Sequence, residues 1–143
     1  MSIFPTEEGL MFMLCEDFRE EGGGKLSIYG VIGDNIQVDL PDTQSKVAFP
    51  SLGLIMIFRD GVGKFQMSNR LTFPNKQALP TSEMKQSVEK RSDGWMNVAI
   101  KLMPFHGQIG EYNLGISLID EHSVKKDYTR AFSITRRPQT TKH

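Results

Sequence analysis

The chain has 143 residues, 38% of them hydrophobic and 24% charged, with seventeen basic and seventeen acidic side chains and a formal net charge of zero. That length suits one domain able to bury roughly two thirds of the surface its unfolded chain exposes, without help from a disulfide or a metal. The charge balance argues against a general nucleic-acid binder, which needs excess Lys and Arg to displace counterions from phosphates, and it leaves association with itself or a partner unopposed.

The single cysteine, Cys15, excludes an intramolecular disulfide. Met1 to Glu8 lack the basic, apolar and small-residue series of a secretory leader. The longest apolar run, Leu52 to Phe58, is far shorter than the roughly twenty residues a membrane-spanning helix needs. These features predict a cytoplasmic protein with no membrane contact.

Taken in chain order, the dominant period is two. Leu10, Phe12 and Leu14 share one face of a strand over 9–16, with Met11 and Met13 on the other. Gly22, Gly23 and Gly24 separate it from a strand over 25–32, and Gly33-Asp34-Asn35 turn into a strand over 35–39. In the strand over 52–59 the continuous apolar run Leu54 to Phe58 suits a strand covered on both faces. Asp60-Gly61-Val62-Gly63 read as a hairpin loop leading to 64–73, where Phe65, Met67, Asn69, Leu71 and Phe73 share a face.

Further alternation runs through Met96, Val98, Ile100 and Leu102 in 95–103 and Tyr112, Leu114, Ile116 and Leu118 in 110–120, with a closing strand over 128–136. Thr81 to Lys90 fit a short helix capped by Ser82, and equally a strand or a long loop. The prolines fall at the edges of these runs, where a missing N–H costs a ladder least. The pattern predicts an all-β, single-domain antiparallel β-sandwich, immunoglobulin-like, with about eight strands over 1–136 and a polar tail over 137–143.

The segment Cys15-Glu16-Asp17-Phe18-Arg19-Glu20-Glu21-Gly22-Gly23-Gly24-Lys25-Leu26-Ser27-Ile28-Tyr29-Gly30 is similar to the opening of a bacterial family of uncharacterised domains. Members of that family begin with an apolar strand, then Cys-Glu/Asp-Asp-x-Arg-x-Glu, a Gly-rich turn, Lys-x-Ser and a glycine. The matching positions are Cys15, Glu16, Asp17, Arg19, Glu21, Gly23, Gly24, Lys25, Ser27 and Gly30, and Gly110-x-Tyr112 and Phe132-x-Ile134 match more loosely. Phe18 and Ile32 depart from the pattern, which prefers a smaller β-branched residue and an aromatic there. The resemblance implies the fold and a bacterial origin and, since the family carries no settled activity, adds nothing on mechanism.

Each candidate site has a structural counterpart. The carboxylates of Glu16, Asp17, Glu20 and Glu21 offer hard oxygen ligands for calcium, but their spacing is not that of a calcium loop; the alternative is a hairpin end where Arg19 and Lys25 pair with them. His106, His122 and His143 lack ligand spacing; Asp120 and Glu121 beside His122 leave a weak metal site open there, the alternative being ordinary exposed loop histidines. Cys15 is a nucleophile only beside a base, and otherwise a small buried hydrophobe. Gly22-Gly23-Gly24-Lys25 lacks the upstream glycine and following helix of a phosphate loop. Trp95, Tyr29, Tyr112 and Tyr128 suit a stacking platform, or structural use, Tyr112 as a tyrosine corner bonding back to the chain.

Met11, Met13 and the 54–58 run have apolar residues on both faces, to be covered by another chain or by this one. No catalytic, cofactor or metal residue emerges. The expected function is a non-enzymatic interaction module binding a protein partner, with Glu16, Asp17, Arg19, Glu21, Lys25, Trp95, Met11 and Met13 as its surface. The alternatives are a subunit of a homo-oligomer or larger assembly, and a calcium-dependent or carbohydrate-type binder.

Overall fold

A computed structural model describes residues 2–76 and 84–138. Along them run β1 (Leu10–Glu20), β2 (Leu26–Gly33), β3 (Asn35–Val38), β4 (Lys46–Phe49), β5 (Leu52–Phe58), β6 (Gly63–Thr72), β7 (Met84–Lys90), β8 (Met96–Leu102), β9 (Phe105–Gln108), β10 (Gly110–Ile119) and β11 (Lys125–Arg136). They form a four-stranded sheet of order β2-β1-β5-β8, a five-stranded sheet of order β3-β11-β10-β6-β7 and a two-stranded sheet of β4 and β9. The all-β reading is met, and the described residues contain no helix long and apolar enough to cross a membrane.

The details differ from the expectation of about eight antiparallel strands. β3 runs parallel to β11, with Asn35 opposite Ser133 and Val38 opposite Arg136. β4 and β9 have four residues each, too few for alternation to stand out from a loop. Met84–Lys90, where a helix was one option, is a strand laid antiparallel on β6. Helix propensity is a weak prior beside a long partner strand. Thr81 to Glu83 and His143 lie outside the described residues.

The inner faces of the two large sheets share one core. Leu52, Leu54, Met56 and Phe58 of β5 and Met96, Val98 and Ile100 of β8 join Phe65, Met67 and Leu71 of β6, Tyr112, Leu114, Ile116 and Leu118 of β10, and Tyr128, Phe132 and Ile134 of β11. The Tyr112 ring stacks on Phe132 with centroids 4.8 Å apart. Its hydroxyl donates to the Gln108 carbonyl at 2.8 Å and accepts from the Gln108 amide at 2.7 Å, as expected of a tyrosine corner.

A second, smaller core lies on the outer face of the four-stranded sheet. β1 pairs with β5 only as far as Cys15 opposite Gly53; beyond that point its residues pair with β2 alone. The distal half of the β1–β2 hairpin then folds over the outer face. Phe18, Leu26 and Ile28 pack there against Cys15, Ile55 and Ile57, with Met11, Met13 and Ala99 at the margin. Lys101 ties the crossing down: Nζ is 2.8 Å from Asp17 Oδ1, donates to the Phe18 carbonyl at 3.0 Å, and lies 4.9 Å from the Phe18 ring centroid. Asn97 Nδ2 donates to the Gly24 carbonyl at 3.2 Å. The chain itself therefore covers the apolar outer side of 54–58.

Candidate functional site

Each large sheet ends in two edge strands, and an unguarded edge offers free backbone N–H and C=O groups to an incoming chain. β7 is guarded by charge, with Lys85, Glu89 and Lys90 in seven residues. β8 carries Lys101 and is met by the hairpin tip at Asn97. β3 is four residues long. β2 has eight residues, Leu26-Ser27-Ile28-Tyr29-Gly30-Val31-Ile32-Gly33, and none is charged. Tyr29 and Val31 on it are 47% and 61% exposed.

Beside this edge opens a cleft of about 660 Å³. Val31 and Ile32 of β2, Ile36 of β3, and Phe49 and Leu52 supply its apolar lining, and Glu16, Asn35, Gln37, Ser51 and Arg137 its polar lining. The bend of β1 brings Glu16 here. Gly30 has φ of +65°, and a Cβ built on it would stand 2.7 Å from the Glu16 carboxyl carbon. Glu16 therefore lies across the backbone of β2 at Gly30, where no side chain stands in its way. Its main-chain carbonyl accepts a hydrogen bond from the Ser51 hydroxyl, while its carboxylate has no partner among the described residues.

The other residues singled out from sequence do not form one surface. Asp17 is engaged by Lys101; that hydrogen bond, with the Phe18 amide, holds its carboxyl below the usual range. Arg19 pairs with Glu21 at 3.1 Å and donates to the Tyr29 hydroxyl at 3.0 Å, and Ser27 donates to the same Glu21 oxygen. Lys25 makes no ion pair among the described residues, and its carbonyl accepts from the Glu21 amide. Met11 and Met13 are half-buried against the second core.

Trp95, 63% exposed, precedes β8 at the end where Met96 lies opposite Phe58; Glu16 lies past the other end, next to Cys15 opposite Gly53. Trp95 is thus separated from the cleft by the length of the sheet.

The carboxylates of the hairpin do not converge. Among the described residues no group of three or more His, Cys, Asp or Glu side chains is placed to hold a metal ion. His106 is exposed on β9, and the His122 amide donates to Asp120 Oδ1 in a loop turn. Cys15 is fully buried; burial and the nearby Asp17 charge push its thiol up, away from the nucleophilic thiolate.

No family model matches the chain. No curated protein matches it either. Among solved structures, the crystal structure of the PmoD soluble domain from Methylocystis sp. ATCC 49242 (Rockwell) is similar at 12% identity, over 93% of this chain and 96% of that one, with a TM-score of 0.47. That likeness is too distant to carry function across.

Of the cleft, only Glu16 stood out in the sequence. Val31, Ile32, Ile36 and Leu52 read as ordinary strand residues and Phe49 fell outside every predicted strand, because their gathering depends on how strands of three sheets meet. One signal was present: the run from Leu26 to Gly33 has no charge, which is unusual for an edge.

Proposed function

We propose that this chain is a non-enzymatic interaction module, an immunoglobulin-like β-sandwich of the cytoplasm that binds a protein partner by accepting an extended segment along β2. The observation supporting it is the β2 edge, unpaired on its outer side among the described residues, eight residues without a charge and flanked by a cleft of mixed polar and apolar lining. Main-chain hydrogen bonds to such an edge supply affinity, and alternate side chains entering the neighbouring cleft supply selectivity. Membership of the bacterial family it resembles belongs to the same proposal. The motif residues Cys15, Asp17 and Gly30 have structural tasks in forming this edge, which leaves the exposed positions of β2 to choose the partner.

The test is selection of phage-displayed random octapeptides on the immobilised protein. Enrichment of sequences with alternating apolar residues, lost in Val31→Lys, is the expected result. Peptides that bind Val31→Lys as well as the natural protein sink the proposal.

Self-association is the second reading, supported by Lys25 and Asp34 flanking β2 at opposite ends. Antiparallel pairing of β2 with a second copy brings those unlike charges toward each other. Native mass spectrometry at micromolar concentration separates the two: a dimer that Val31→Lys dissociates favours the second.

A further inference from the structure

We infer that the segment taken up by β2 carries a lysine or arginine two positions from an apolar residue, the cation meeting Glu16 and the apolar side chain entering the cleft. This rests on the reading of β2 as the docking edge and adds the chemistry of the segment. Asp17 and Glu21, the flanking carboxylates of the hairpin motif, are taken up by Lys101, Arg19 and Ser27. Glu16 is left without a partner among the described residues, laid over Gly30 at the margin of the cleft. Arg137, the cationic side chain of the cleft lining, is occupied with Asp39 at 3.0 Å.

A carboxylate without a partner at the margin of this partly apolar cleft favours a cation and disfavours an anion, so it selects by charge as well as by attraction. A strand running beside β2 turns every second side chain to the same face. The cation and the apolar anchor must therefore stand two residues apart, on the face toward the cleft.

The probes are two fluorescent octapeptides of alternating threonine and valine with one central leucine, capped at both ends. Two positions from the leucine, one carries lysine and the other glutamate. Fluorescence anisotropy should show the lysine peptide binding roughly fivefold more tightly at moderate salt. The preference should narrow as salt rises and vanish in Glu16→Gln, an exposed position whose replacement leaves the fold intact by circular dichroism. Equal binding of the two peptides overturns the charge rule while the docking reading stands. A lysine preference that survives Glu16→Gln overturns the assignment to Glu16. Binding of neither peptide overturns both.

Discussion

The ring of Phe18 rests on Gly53: a Cβ at position 53 would stand 3.0 Å from Phe18 Cδ1 and 2.5 Å from Cys15 Sγ. This contact lets β1 leave β5 and carry the hairpin over the outer face, and so sets both the second core and the position of Glu16.

Gly53→Ala should therefore destabilise the protein by about 1–3 kcal/mol, the usual cost of forcing a methyl into a packed site. Urea unfolding measures it as a lower midpoint at unchanged slope. A midpoint equal to that of the natural protein would mean that the hairpin does not pack on Gly53.

Tyr112→Phe keeps the stack on Phe132 and removes both hydrogen bonds to Gln108. Leaving a backbone N–H and C=O without that partner should cost about 1–3 kcal/mol. Gly107→Ala should cost at least as much, since its Cβ would stand 2.5 Å from the Tyr112 oxygen. Thermal unfolding of the two variants, alone and combined, checks the coupling: the double variant should lose less than the sum.

Cys15 should resist a thiol reagent in the native protein, because it is fully buried and its thiol is held in the protonated form. Labelling with a chromogenic disulfide should run at least about a thousandfold slower than in denaturant, reflecting the rarity of opening. Rapid native labelling would show that the hairpin lifts from the sheet.

Asp60 accepts hydrogen bonds from the Thr6 hydroxyl at 2.6 Å and the Thr6 amide at 3.0 Å, and the hydroxyl bond chiefly lowers its carboxyl from the ordinary 3.8. The native state then binds fewer protons than the unfolded state near that value. The stabilisation is complete above 3.8 and is lost as pH falls through the lower native value. Asp17, held down by Lys101, contributes in the same sense. Urea midpoints between about pH 5 and pH 2 should fall with acid, and Asp60→Asn should flatten part of that fall. An unchanged acid dependence in Asp60→Asn would remove the assignment.

The alternation at Tyr112, Leu114, Ile116 and Leu118 placed a buried face correctly because side-chain direction along a strand is a local property with period two. The tyrosine corner was legible for the same reason, since it rests on contacts within a few residues. Asp60-Gly61-Val62-Gly63 is not the hairpin loop its glycines suggested: it carries the chain from β5 in one sheet to β6 in the other, a choice the turn residues themselves do not encode. β7 was not legible, since Lys85, Gln86 and Glu89 suit helix or strand alike and only the ladder with β6 decides between them. The double apolar face of β5 was also visible, but what covers it was not.

Sequence alone determined the strand class, most strand positions and the inward faces, all of which follow from local pattern and composition. Tertiary structure alone decided the rest: the parallel pairing of β3 on β11, the fold of the β1–β2 hairpin onto its own sheet, and the meeting of Glu16, Val31, Ile36, Phe49 and Leu52 at one cleft. Those depend on which strands become neighbours and which are left as edges. That choice is made by contacts between residues far apart in the chain, and no short stretch of sequence encodes it.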